Sequence, residues 1–302
     1  MRVVGFIIEY LFFIVLRLVV LVIGYKLGKK VGRFLGKIAF RLIKNLRDAA
    51  IKNATVIFGG IDSEVMRILE KAFENVGIFV VDSFFVNCIN EDNYREFVEF
   101  EDFHYIQESL SYGKGVIVVT GHFGNWEFLA GVPARLGWVK LAVVMNRQIN
   151  PFTESLIVKT RKKANMETIY NQPEEVKRII SFLKSGGIVG MVVDQAYYFD
   201  PIYVEFFGRA APTARGPAVF HLKIGSPIVP ARSILLEDDR YKLKFYPPLK
   251  FDLPYNDESV MKIMRNINSI FEEWIKEDPT QWFSWTHPRW DVEGIVVRKT
   301  RQ

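Results

Sequence analysis

The sequence predicts an α/β fold: a mostly parallel central sheet flanked by helices, with an apolar and amphipathic helical arm at the N-terminus. Three observations predict it. From residue 115 onward, short apolar runs alternate with stretches of helical periodicity. Before that, residues 48–110 are helical in character. The first 47 residues separate into an apolar stretch followed by a basic one.

The apolar stretch is VVGFIIEYLFFIVLRLVVLVIGY, residues 3–25. Its length approaches a membrane span, but Glu9 and Arg17 interrupt it. A central arginine costs about 2.5–3.5 kcal/mol on insertion, which so apolar a segment can absorb. No small-residue cleavage site follows, which argues against a removed signal peptide. Whether the segment spans a bilayer or lies on it stays open at this level. If it spans, the cation-rich flank places the body on the cytoplasmic side.

Residues 10–47 carry nine cations and no acid. The whole chain is only +6, so the remainder holds three more acids than bases. A basic arm on a mildly acidic body argues against a general nucleic-acid surface and for a local electrostatic anchor. At helical spacing Lys26, Lys29, Lys30, Arg33, Lys37, Arg41, Lys44 and Arg47 share a sector of roughly 120°. Leu27, Val31, Leu35, Ile38, Leu42 and Leu46 lie opposite or beside it, and Gly28, Gly32 and Gly36 form a third stripe. One reading is an amphipathic helix near anionic lipid with a glycine groove for close helix approach. The other is a solvated basic face on a helix packed against the domain. The expected division is an arm over 1–47 and a single α/β domain over 48–302.

In the body, Asp62 and Ser63 are candidate caps for a helix rich in three- and four-residue apolar spacing. The expected strands are 115–120, 141–146, 188–195, 227–236 and 241–247. The expected helices begin at Trp126 and cover 152–164, 173–187, 214–225 and 259–276. In parallel sheets of this kind, sites lie beyond the carboxyl ends of strands. His122 falls just past one such end and Asp194 at another.

The segment TGHFGNWE explains how His122 could work. On one continuous helix His122 and Glu127 would sit about 140° apart and could not meet. They can meet if His122 lies in the turn and Glu127 in the first helical turn, with Asn125 as N-cap and Gly121 and Gly124 allowing tight backbone. The carboxylate would hold one ring nitrogen and leave the other to take a proton from a hydroxyl. The bland alternative is a core histidine beside a glutamate that complements the helix dipole. Metal binding is not expected: the other histidines lack ligand spacing, and Cys88 is the single cysteine, which also excludes an internal disulfide.

HFGNWE matches the H-x-x-x-x-[DE] signature of glycerolipid acyltransferases. The phrase GVIVVTGHFGNWEFLAG resembles the bacterial lipid A biosynthesis (lauroyl/myristoyl) acyltransferases, a group that includes phosphatidylinositol mannoside acyltransferases. MNRQINPFTESLIVKTR, LKSGGIVGMVVDQ, VEFFGRAAPTARGPA and PTQWFSWTHPRW continue the resemblance in order, over roughly residues 45–290. Pro288 departs from the second basic residue that many members carry there.

The resemblance implies a glycerol-3-phosphate acyltransferase-like fold held on the cytoplasmic face of the bacterial inner membrane. It implies acyl transfer from acyl carrier protein or acyl-CoA to a glycolipid hydroxyl, with no cofactor beyond that thioester co-substrate. His122 would be the general base, Glu127 its orienting partner, and Arg161, rather than Arg147, the cation at the oxyanion, aided by backbone N–H groups after Gly124. Asn125, Arg147, Asp194, Gln195, Phe207 and Thr213 are candidate substrate contacts; Asp194 and Gln195 could instead hold a structural arginine. Thr213 and Gly216 would shape a loop beside the site, and His287 and Arg289 would pack and cap. Phe207 with Trp274, Trp282, Phe283, Trp285 and Trp290 would wall an acyl channel, sit at the lipid interface, or simply pack. A lysophosphatidate-type acyltransferase and a non-catalytic lipid-binding protein are the rival readings.

Overall fold

The computed structural model describes residues 2–290, so the last residues of the expected domain lie outside the description. Two helices form the arm, α1 (Arg2–Ile23) and α2 (Tyr25–Leu42), and two more follow, α3 (Lys44–Phe58) and α4 (Ser63–Ser83). The boundary expected at residue 47 therefore falls inside α3. Asp62 caps α4 by accepting from the N–H groups of Glu64 and Val65.

A short strand, β1 (Val98–Glu101), interrupts the region expected to be helical throughout, and α5 (His104–Ser111) follows it. Then come β2 (Val116–Thr120), α6 (Trp126–Arg135), β3 (Leu141–Met145), α7 (Pro151–Lys163), β4 (Met166–Tyr170), α8 (Val176–Lys184) and β5 (Ile188–Val192). The hairpin β6 (Ile202–Phe206) and β7 (Arg209–Thr213) precedes α9 (Gly216–Ile224), β8 (Ile228–Leu235), β9 (Tyr241–Phe245) and α10 (Asp257–Glu277). β1, β4 and the hairpin are additions to the sequence reading. Each is short, and their half-exposed, mixed composition gives no continuous apolar run.

The seven-stranded sheet has the order β1-β9-β8-β2-β5-β3-β4, and β6-β7 stand apart as a two-stranded sheet. All neighbours in the large sheet are parallel except β8 and β9. β2 is buried at all five positions, as an interior parallel strand covered on both faces must be. Its alternate residues feed two cores. Ile117 and Val119 join α3, α4, α8, α9 and α10 on one face. Val116 and Val118 join α5, α6 and the C-terminal half of α1 on the other.

The glycine stripe of α2 works as a groove within the chain. A Cβ on Gly32 or Gly36 would run into the backbone of α4 at Gly77 and Phe73, and one on Gly77 would meet Gly32. Absent side chains let the two helices touch along their backbones. The expected glycine groove thus faces the body, with Gly28, Gly32 and Gly36 buried, whereas Leu27 and Leu42 of the apolar stripe are exposed. Lys29, assigned above to the basic face, is also buried. Its Nζ lies 3.1 Å from Asp82 on α4 and donates to the Asp239 carbonyl, and Tyr241 Oη donates to Asp82 at 2.8 Å. Burial dominates both partners: it holds the Asp82 carboxyl up to about 7 against the pull of Lys29 and Tyr241, and it lowers Lys29 against the pull of Asp82. The remaining basic face is partly engaged, with Lys37 and Arg41 near Glu70 and Arg33 near Asp239.

Candidate active site

His122 sits in the turn between β2 and α6, at the carboxyl edge of the sheet. Gly124 in that turn has φ +51°, and a Cβ there would strike the Ser233 carbonyl, so the chain can pass only as glycine. Asn125 caps α6, its Oδ1 accepting the Phe128 N–H at 2.9 Å. The turn is pinned from the far end of the chain. The N–H of Phe283 donates to the His122 carbonyl at 2.7 Å, and Gly124 N–H donates to the Gln281 carbonyl at 3.0 Å. The closing aromatic block is thereby laid against the histidine.

The imidazole partner is Asp194. Nδ1 of His122 lies 2.7 Å from Asp194 Oδ1, and the His122 backbone N–H donates to Oδ2 at 3.0 Å. Oδ2 also accepts from Trp282 Nε1 and from Ser284 Oγ, both at 2.8 Å. Asp194 is fully buried. Burial alone would raise its pKa, but the imidazole, the His122 N–H and Ser284 outweigh that and hold the carboxyl well below the usual range. A carboxylate with these partners fixes the ring and its tautomer, leaving Nε2 without a partner among the described residues.

Glu127 does not take that place. Its carboxylate is engaged by Arg161 of α7, with Nη2 to Oε1 at 2.5 Å and Nε to Oε2 at 3.2 Å, a two-point guanidinium–carboxylate pair. Burial disfavours the Arg161 charge, yet Glu127 more than restores it and raises the pKa. The correction has a simple cause: β5 lies beside β2, so the carboxylate ending β5 reaches Nδ1 first. Sequence spacing within one turn could not reveal a neighbour 72 residues away.

His122, Glu127, Arg161 and Gln195 all line one cavity of about 780 Å³. Val118, Leu141, Val143 and Ile188 line it as well. These residues share a face of the sheet, and from Val192 back to Ile188 the wall runs about 13 Å along the strand. Phe103, Ile106 and Phe245 line it too. Val144, Met191 and Val193, on the opposite face, also contribute, so the cavity curls over the carboxyl edge where His122 sits. Trp126 meets the imidazole edge-on at 4.6 Å and Phe283 stacks at 6.1 Å.

Of the expected substrate contacts, Gln195 lines the cavity and Asn125, Arg147, Asp194, Phe207 and Thr213 do not. Asn125 is fully buried and acts as the helix cap. Asp194 is too deep to meet a sugar hydroxyl, and its partner is the histidine, not an arginine. Gln195 faces the cavity and donates to Ser284 Oγ at 3.1 Å. Arg147 is exposed, paired with Glu154 at 3.4 Å and lying over the Tyr170 ring. Phe207 turns the β6–β7 hairpin, its N–H donating to Glu272, away from the cavity-lining set. Thr213 is buried and accepts from Arg289 Nη2 at 3.1 Å. Arg289 also donates to the Pro212 carbonyl, and burial lowers its pKa to about 10. Of the aromatic set, Phe283 lines the cavity, while Trp274, Trp282, Trp285 and Trp290 are core.

Ser284 was missed by the sequence reading although it stands in the quoted block. It lies 3.3 Å from Nδ1, on the Asp194 side of the ring, and is buried with its hydroxyl donated to the carboxylate. It supports the Asp194–His122 pair and does not face the cavity. Among the described residues no cluster of three metal-ligating side chains occurs.

With the histidine, the buried carboxylate and the apolar cavity placed, comparison with known proteins decides the family. The sequence model for bacterial lipid A biosynthesis acyltransferases matches residues 1–291. The chain belongs to that family. It is also similar to a phosphatidylinositol mannoside acyltransferase of Mycolicibacterium smegmatis, 22% identical over 205 residues, which cover 66% of this chain and 64% of the relative. The match thus spans a little under two thirds of that relative's length.

Proposed function

We propose that this lipid A acyltransferase family member moves a fatty acyl chain from a thioester, acyl carrier protein or acyl-CoA, to a hydroxyl of a glycolipid at the cytoplasmic face of the inner membrane. The observation that carries the reading is the Asp194–His122 pair at 2.7 Å, opening on an apolar cavity large enough for an acyl tail.

His122 Nε2 takes the proton of the acceptor hydroxyl as its oxygen attacks the thioester carbonyl. Asp194 stabilises the imidazolium that forms. The tetrahedral oxyanion faces the start of α6, whose Trp126 and Glu127 N–H groups are not used by the Asn125 cap. Arg161, fixed by Glu127, adds positive charge to the same wall. Collapse breaks the carbon–sulfur bond, and the imidazolium returns its proton to the departing thiolate. No side-chain nucleophile is required, since Ser284 is buried behind the ring.

The test is acyl transfer by purified protein in lipid vesicles with His122→Ala. Transfer is expected to vanish while circular dichroism and vesicle recovery stay at parental levels. A folded variant that transfers at the parental rate removes the base assignment. Mass spectrometry of lipids from cells with and without the gene then identifies the acceptor and the chain as a difference of one acyl group.

A further inference from the structure

Helix α1 is the one described helix long and apolar enough to cross a membrane, and its most apolar window is only 6% buried. Its length, at 22 residues, is about 33 Å. The contacts it makes with the body run from Phe6 to Val20. The Phe6 carbonyl accepts from Asn150 Nδ2 at 3.0 Å, Glu9 accepts from Thr153 Oγ1 at 2.9 Å, and Tyr10 packs on Phe152. Farther on, Phe13 and Arg17 wall the active-site cavity, and Leu16 and Val20 are buried in the core.

At 100° per residue these seven positions fall in one sector of roughly 120°. Both charged residues of the span lie in it. The opposite side presents Val3, Val4, Ile7, Ile8, Leu11, Phe12, Val15, Leu18, Val19 and Val22, all exposed and all apolar. A helix that crossed the bilayer would have to carry the flanking body into the hydrocarbon with it, including the exposed Arg147 and Gln148 beside Asn150. Exposed polar loops do not enter lipid.

We infer that α1 does not span: it lies in the plane of one leaflet, its bare face in the headgroup–acyl boundary and its other face closing the side of the active-site cavity. The inference rests on the membrane association in the proposed function and adds the geometry. The occupant of the bare face is lipid because that face is apolar without interruption over its whole length, and α2 continues it with the exposed cations Lys26 and Lys30 at headgroup level. Because Phe13 and Arg17 belong to the cavity wall, the mouth then meets the leaflet, and a glycolipid reaches His122 without leaving it. Arg17 is held at the interface instead of at the bilayer centre.

The test uses the full chain with Cys88→Ser, which removes the single cysteine, and single cysteines at Val4, Leu11, Val15 and Val22 carrying nitroxides in phosphatidylethanolamine–phosphatidylglycerol vesicles. Oxygen and a water-soluble nickel chelate report depth. The inference expects four shallow labels within a few ångströms of one another. A depth that peaks at the middle positions and falls at both ends overturns it, as does low accessibility to both reagents, which would mean a protein partner on that face. In spheroplasts, Val4→Cys is expected to resist an impermeant maleimide until lysis, as Glu258→Cys on the body does; labelling of Val4→Cys alone from outside also overturns it. Neither readout uses acyl transfer, so the chemistry can fail independently.

Discussion

Asp194 Oδ1 lies 2.7 Å from His122 Nδ1, while Oδ2 of the same carboxylate receives the His122 backbone N–H and the Trp282 and Ser284 side chains. One buried group therefore sets the ring's tautomer, its orientation and the path of the turn that carries it. Asp194→Asn keeps the volume but presents a neutral amide to Nδ1. It is expected to lower kcat by about 10²–10⁴-fold with a smaller change in KM. Steady-state kinetics on the folded variant decides it; an unchanged kcat removes Asp194 from the mechanism.

The same carboxylate makes stability depend on pH with a definite sign. Its folded pKa is depressed, so its contribution is present above the unfolded carboxylate value of about 3.9 and is lost as pH falls through the lower folded value. Parent protein is expected to lose stability progressively below about pH 4. Asp194→Asn should flatten that loss in thermal melts across the acid range.

Glu127 and Arg161 predict a different signature. Glu127→Gln leaves the His122–Asp194 pair intact but takes the carboxylate from the part-buried Arg161 guanidinium, and a fall of about 10²-fold in kcat is expected. Arg161→Lys should not restore a two-point pair, because an ammonium cannot match both carboxylate oxygens. An unchanged kcat in Glu127→Gln would remove the Glu127–Arg161 pair from the mechanism.

The buried Lys29–Asp82 pair joins the arm to α4. Lys29→Met leaves Asp82 without its cation and is expected to cost about 3–5 kcal/mol. Lys29→Met with Asp82→Leu should recover most of it in denaturant titrations. Burial raises Asp82 to about 7, so its contribution is full below the unfolded value of about 3.9 and is lost as pH rises to that point. Asp82→Asn should remove this decline between those limits.

At the α2–α4 contact, Gly36→Ala places a methyl against the Phe73 carbonyl. Backbone cannot yield as a side-chain end can, and a loss of about 1–3 kcal/mol is expected. The exposed Gly60, with open space around it, serves as the control.

By itself the sequence determined what short-range physics determines. Apolar runs specified β2, β3, β5 and β8, and apolar–lysine alternation specified β9. Asp62 and Asn125 announced the helix starts, and Gly124 the tight turn that lifts His122 to the sheet edge. These depend on torsions, caps and side-chain period, all within a few residues. Tertiary structure decided which groups meet. It brought Asp194 and Ser284 to the imidazole, gave Glu127 to Arg161, and turned the glycine stripe and Lys29 of α2 inward. Each pairing follows from strand order and helix crossing, where partners lie tens to hundreds of residues apart. Distances of a few ångströms between such segments are set by the packing of the whole sheet, and no local spacing encodes them.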